Sequence, residues 1–473
     1  MSYPLNSSPG EEPISLGGYK GKARELLDQN GAVVGKRVTI KTADGLELTG
    51  IVVPRYEHSD SEHIVIKLKS GYNTGVDVNK IASLSVVTTG EVAQHVFGKT
   101  ASQQPSKEHS EIGRNLRHLL LLSTGGTIAS RVDYRTGAVY PALSADDLYS
   151  AVPELGSIAS IEPEVVFSTY SENLAPPHWQ RLAERIKKTT AEVTVTKTQP
   201  NLVPDGIVVM LGTDTLGYVA AALSFALLGL EIPVVCVGAQ RSSDRPSSDA
   251  ALNLKAAARF AANSNLPGVY VSMHATENDD FVAIHSGVRV RKNHTSRRDA
   301  YQSIDTPCIA KANGSEVKML NPPRKRVDDG SFNLKTNFDS AVALLKFYPG
   351  FDLGAIDYYT KTARLKGLVI EGTGLGHVSS NIISKLADAV KNGVFVGMTS
   401  QCIWGHVDLD VYETGRDLQA AGVVPLGNMF GETAYAKLSW TLGNFERSRV
   451  NEIMLTNFVG EFTERIPLAN SDN

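Results

Sequence analysis

Two short turns carry hydroxyl side chains directly after strongly apolar runs: Leu119-Leu-Leu-Leu-Ser-Thr-Gly125-Gly126-Thr127-Ile-Ala-Ser130 and Val208-Val-Met-Leu-Gly-Thr213-Asp214-Thr215. Runs of that kind read as strands buried on both faces, and open α/β sheets keep their chemistry in the crevice at the carboxyl ends of such strands. A hydrolase without a metal needs an activated nucleophile, donors for the oxyanion and a proton for the leaving group. The first turn can supply the first two, because paired glycines bring backbone N–H groups close to a substrate and Thr127 follows with a hydroxyl. A glycine turn with capping hydroxyls is the blander reading. A phosphate-binding loop is excluded, since no lysine follows the glycines.

In the second turn, Thr213 and Asp214 can cap the next helix or hold a polar ligand, and Thr215 reads as a plain cap. Lys292 lies in Arg289-Val-Arg-Lys292-Asn-His-Thr-Ser-Arg-Arg298, a basic run that by itself reads as a solvated loop. His406, Asp408 and Asp410 alternate along one segment and are metal-ligand types, but alternation alone leaves them facing water, so no metal is expected. Glu371-Gly-Thr-Gly-Leu-Gly-His377 is one residue short of a dinucleotide fingerprint.

The elements that must position these residues fall into two styles. Between residues 35 and 87, near-alternating β-rich runs at 37–41, 46–53, 64–68 and 81–87 are separated by turn chemistry at 43–45 and 71–75. Short strands so closely spaced predict a small barrel-like sheet, preceded by a helix over 20–29. Residues 99–113 are polar and read as a linker. From residue 114, apolar runs at 117–122, 206–211, 232–237, 268–273, 365–370 and 394–398 alternate with helical stretches at 144–152, 176–188 and 215–228. That alternation predicts an α/β fold with a mostly parallel sheet covered on both faces. The expected division is 1–98, linker 99–113, a large α/β domain at 114–320, linker 321–335 and a smaller α/β domain at 336–473.

At 473 residues the chain exceeds a single core, and a formal charge of −3 argues against a dominant nucleic-acid surface. Cys236, Cys308 and Cys402 are too few and too irregularly spaced for a disulfide scaffold. With no apolar stretch long enough to span a bilayer and no leader pattern, the expected setting is cytoplasmic, without a membrane.

The region from residue 119 onward resembles the bacterial-type L-asparaginase/glutaminase family. The resemblance rests on Thr124-Gly-Gly-Thr127-Ile, Gly212-Thr-Asp-Thr215, Val237-Gly-Ala-Gln-Arg241 followed by Ser248-Asp-Ala-Ala-Leu-Asn-Leu254, and residues 288–292, all in family order. It implies an asparaginase-like two-domain core in which Thr127 is the nucleophile, assisted by Tyr140 from Tyr134-Arg-Thr-Gly-Ala-Val-Tyr140. It also implies a second relay of Thr213, Asp214 and Lys292. Ser171 is placed at the substrate α-carboxylate and Asp214 at its α-ammonium, with Gly126 and Thr213 also lining the substrate.

With the added β domain in front, the chain resembles the asparaginase-like D-type subunits of archaeal glutamyl-tRNA(Gln) amidotransferases. That resemblance implies a glutaminase whose ammonia passes to a partner, the E-type subunit, which amidates the glutamate carried on tRNA(Gln). It implies no cofactor in this chain, ATP and Mg in the partner, and a homodimer within a heterotetramer. An autonomous cytoplasmic L-asparaginase is the alternative, and a non-catalytic scaffold is disfavoured because every nominated group is present.

Overall fold

The computed structural model describes residues 16, 18–53, 55, 59–68, 73–87, 116–125, 130–132, 139–141, 152, 154–195, 204–241, 248–313, 315–321, 330 and 332–464. Residues 144–151 of the helix predicted at 144–152 and the linker at 99–113 lie outside them. The chain divides into two compact units, one of residues 1–112, 130–140 and 242–248, the other of the remainder.

In the first unit, strands β1 (Arg37–Thr42), β2 (Glu47–Val52), β3 (His63–Leu68), β4 (Asn73–Asp77) and β5 (Ile81–Val86) form one antiparallel sheet in the order β4-β3-β2-β1-β5. Alternation sets the buried face: Val38, Ile40, Ile64, Ile66 and Leu84 point in and pack with Ala23 and Leu27 of the helix Gly21–Gln29. A single 3-10 turn, Val78–Lys80, joins the two edge strands, so the sheet must curl into the barrel-like form expected. Residues 73–75, read as part of a turn, belong instead to β4. Their backbone pairs with β3, and pairing across a hairpin overrides local turn preference. Two further short strands, β7 (Ser130–Val132) and β8 (Val139–Pro141), pair with each other.

The second unit is built on an eight-stranded sheet. Its strands are β6 (His118–Ser123), β9 (Ser160–Val165), β10 (Gly206–Met210), β11 (Pro233–Val237), β12 (Gly268–His274), β13 (Val282–Ser286), β16 (Ala310–Ala312) and β17 (Val317–Met319), in the order β17-β16-β13-β12-β11-β10-β6-β9. The run from β9 to β12 is parallel, so most of the sheet is parallel as expected, and β13, β16 and β17 extend it with antiparallel strands. The return of β13 on β12 follows from connection length: residues 275–281 are too few for a crossover helix, so the chain can only turn back on itself. A hairpin of β14 (Val290–Lys292) and β15 (Tyr301–Ser303) follows. The smaller sheet, β18 (Val342–Lys346), β19 (Gly367–Gly372), β20 (Phe395–Ser400) and β21 (Val424–Pro425), is parallel throughout.

Burial on both faces explains the unbroken apolar runs of the central strands. One face carries the helix Ala250–Asn263, the other the helices Pro176–Val195 and Leu216–Ala226. Nine of the eleven residues of Leu216–Ala226 are buried, because the helix Gly431–Asn444 packs on its outer side and Trp440 stacks on Phe225 at 5.8 Å. Two buried cations tie together the segments around that contact. Lys437 donates to Met454 O, Thr456 O and Glu461 Oε1, and Arg289 to Ile304 O, Asn428 O, Glu461 O and Asp305 Oδ2. None of the helices among the described residues is long and apolar enough to cross a membrane.

Candidate active site

Parallel register brings the motifs together. Ser123 of β6 lies opposite Met210 of β10, and Met210 opposite Val237 of β11, so the turns that follow all three strands leave the same sheet edge side by side. Thr124 closes the first gap, its backbone N–H and its hydroxyl both donating to Met210 O at 3.1 and 3.0 Å. Gly125 follows at φ +96°, where a Cβ would stand 2.7 Å from Thr169 O and 2.8 Å from Thr169 N. Only glycine fits that close approach. Gly126 and Thr127 lie outside the described residues, as does the side chain of Tyr140, whose backbone belongs to β8.

The second turn is fully described. Lys292 Nζ donates to Asp214 Oδ1 at 2.7 Å and to Thr213 Oγ1 at 3.0 Å, so the three residues nominated as a relay meet. Lys292 is therefore no solvated loop residue. It ends β14, and its side chain is 14% exposed against 66% for Asp214, so the ammonium is enclosed while the carboxylate stays largely exposed. Thr213 is buried, with its hydroxyl 3.5 Å from Gln240 Oε1 on the turn after β11.

Tyr301 was not foreseen from the sequence. It pairs directly with Lys292 across the β14–β15 hairpin, and its hydroxyl donates to Thr213 O. Burial, with the Asp214 charge in support, pushes that hydroxyl well above the ordinary tyrosine range, so it stays a neutral donor fixing the turn. Only the hairpin register, which a basic polar run conceals, could have revealed it.

Ser171 is buried in the 3-10 turn Ser171–Asn173, its side chain against Gly212, where an added Cβ would stand 2.7 Å from Ser171 Cβ. Thr215 is not a plain cap. It sits at the start of Leu216–Ala226, but its hydroxyl donates to Ser171 O at 2.7 Å, tying the two segments together. Ser171, Thr213, Asp214 and Lys292 thus share one corner of the sheet edge. Elsewhere, the glycine turn after Glu371 closes on itself through Thr373 and His377, and Asp408 accepts from the backbone N–H of Asp410 at 3.0 Å. Among the described residues, no three histidine, cysteine, aspartate or glutamate side chains gather as a metal would require.

The arrangement can hold a hydroxyl beside an enclosed ammonium, with a carboxylate maintaining the ammonium's charge or taking its proton. Comparison with known proteins agrees with this geometry. Residues 118–325 match the model of the asparaginase N-terminal domain, 341–454 that of the glutaminase/asparaginase C-terminal domain, and 32–87 that of the GatD N-terminal domain. The thermostable L-asparaginase from Thermococcus kodakarensis superposes with a TM-score of 0.63 at 33% identity, covering 74% of this chain and all of that one. The D-type subunit of glutamyl-tRNA(Gln) amidotransferase from Thermofilum pendens is 44% identical over 95% of this chain and 97% of its own length. Its counterpart from Pyrococcus furiosus is 45% identical over 93% and 98%. With an asparaginase core, near full-length relatives and the small β domain in front, the chain belongs to the family of D-type glutamyl-tRNA(Gln) amidotransferase subunits.

Proposed function

We propose that this chain hydrolyses glutamine and supplies the ammonia with which a partner, the E-type subunit, converts Glu-tRNA(Gln) to Gln-tRNA(Gln). The observation that carries the hydrolase is the Lys292 ammonium held within 3.0 Å of Thr213 Oγ1 and 2.7 Å of Asp214 Oδ1 at the end of the strand next to the Gly125 turn. The role within an amidotransferase is supported by the relatives named above, which match over nearly their whole length, front domain included.

In this reading the Thr127 hydroxyl, polarised by Tyr140, attacks the side-chain amide carbon and gives up its proton to the relay that serves the leaving nitrogen, and the N–H groups of the glycine turn, Gly126 among them, take the oxyanion. The C–N bond breaks as the relay of Lys292, Thr213 and Asp214 delivers a proton to the leaving nitrogen, releasing ammonia and leaving an ester on Thr127. Water then cleaves the ester, giving glutamate and restoring the hydroxyl. The free oxygen of Asp214 takes the substrate α-ammonium, and Ser171 its α-carboxylate. ATP and Mg act in the partner, this chain contributing no cofactor, and two copies pair within a heterotetramer.

The test is ammonia release by the full-length chain from glutamine and from asparagine, alone and with the E-type partner and glutamylated tRNA(Gln). Glutamine turnover that rises when partner and tRNA are added, and that vanishes in a folded Thr127→Ala variant, is the expected result. Vigorous asparagine hydrolysis by the lone chain, indifferent to both additions, would instead identify an autonomous asparaginase.

A further inference from the structure

Behind the Thr213 turn, Asp249, Asn253 and His274 have no exposed surface, yet all are polar. They form one line of hydrogen bonds. The Asp249 carboxylate accepts from the backbone N–H groups of Gln240 and Arg241, 2.9 Å each. Asn253 Nδ2 donates to Asp249 Oδ2 and to Gly238 O, 3.0 Å each. Those two acceptors decide which way round the Asn253 amide sits, so Oδ1 faces His274 Nδ1, at 2.6 Å. An amide oxygen only accepts, and His274 Nδ1 must therefore carry a hydrogen.

The other side of the ring faces the surface. His274 Nε2 lies 3.2 Å from Asp279 Oδ1, an oxygen that Arg298 also reaches at 2.6 Å. The charged groups around the ring are Asp249 from the helix Ala250–Asn263 side, Asp279 from the loop after β12 and Arg298 from the β14–β15 loop. Burial outweighs the two carboxylates and lowers the ring's affinity for a second proton below the ordinary histidine value. Whatever Nε2 carries, the Nδ1–H is committed to Asn253.

The line ends on the wall of the relay. Residues 238–241 follow β11, beside β10, and a Cβ at Gly238 would stand 2.8 Å from Thr213 Cγ2. Gln240 Oε1 is 3.5 Å from the Thr213 hydroxyl. A shift of this turn is a shift of Thr213, and a displacement of about 1 Å in a reacting constellation can cost on the order of 100-fold in rate.

We propose that His274 is a positioning residue of the hydrolase site: its Nδ1–H orients the Asn253 amide, and Asn253 with Asp249 holds residues 238–241 against Thr213. The inference rests on the amide hydrolysis proposed above. In the full-length chain, His274→Asn returns an N–H to the place of Nδ1, while His274→Gln returns one only near Nε2. Both remove the ring. His274→Asn should keep kcat within about threefold of the unsubstituted chain. His274→Gln should lower kcat about 10- to 100-fold with KM little changed, and should speed hydrogen exchange at the backbone amides of Gln240 and Arg241. Asp279→Asn, at the Nε2 side, should leave kcat unchanged. Should His274→Gln not fold, Asp249→Asn reads the same link nearer the turn, with the same loss expected. Equal losses in His274→Asn and His274→Gln, or unchanged exchange at residues 240 and 241, would overturn the proposal. If the unsubstituted chain releases no ammonia in any setting, the proposed function falls, and exchange at those two amides alone decides the positioning role.

Discussion

Replacing Lys292 with methionine separates the catalytic worth of the relay from its structural worth. The side chain keeps most of its length and loses its charge. For stability, the contact to Asp214 is an ion pair open to water on the carboxylate side, at 66% exposure, and such pairs contribute about 0–1 kcal/mol. The hydrogen bond to Thr213 adds about 1 kcal/mol. The fold should therefore lose no more than about 2 kcal/mol. For turnover, a positioned proton-transfer group contributes about 100- to 10,000-fold, which is about 2.7–5.5 kcal/mol of barrier. Activity must fall much further than stability. Urea unfolding and ammonia release, measured on the same preparation, give both numbers. The expected pair is a midpoint shift equivalent to about 1–2 kcal/mol and a kcat at least about 100-fold down. Introduced into an Asp214→Asn background, the same change should cost far less than the product of the single losses, because the groups act as one unit. A loss of less than about tenfold in a folded Lys292→Met chain, or strictly multiplicative losses, would refute the relay.

Two further outcomes follow from the geometry. Gly125→Ala places a Cβ against the Thr169 backbone at a φ of +96°, so it should destabilise the chain by about 1–3 kcal/mol and lower ammonia release with it; an alanine variant with unchanged melting and turnover would contradict the close approach. His285 is fully buried, with Nδ1 2.8 Å from Ser303 Oγ and Nε2 without a partner, and burial pushes its pKa down to about 4. In the unfolded chain it titrates near 6.5, so as pH falls the unfolded state takes the proton first. Its contribution is complete above about pH 6.5 and declines by up to about 3 kcal/mol towards pH 4. His285→Gln should flatten that part of the stability profile, and urea midpoints at several pH values, compared between the two chains, check it.

The sequence alone determined which segments become the central strands and where their chemistry must emerge. Runs such as 119–122 and 206–211 are apolar at every position, which fits only a strand covered on both faces, and the polar residues that interrupt them must then sit at strand ends. Alternation in 37–41 and 64–68 determined the front sheet in the same way, since period-2 burial is a local property of a strand. Thr213, Asp214 and Lys292 were nominated through resemblance, and their types suit the chemistry proposed for them.

Tertiary structure decided what depends on register and on partners distant in sequence. The antiparallel return of β13 on β12 follows from a connection too short to cross over, and Lys292 owes its place at Asp214 to a hairpin that its basic sequence disguises. Tyr301 reaches Thr213 only through that hairpin, and Thr215 reaches Ser171 only through the fold of the sheet edge. Asp249, Asn253 and His274 show the same limit most clearly. Each reads locally as an ordinary polar residue near a helix start or at a strand end. They become one buried line only when the helix Ala250–Asn263 lies against β11 and β12, because hydrogen-bond partners across elements are chosen by packing and not by periodicity.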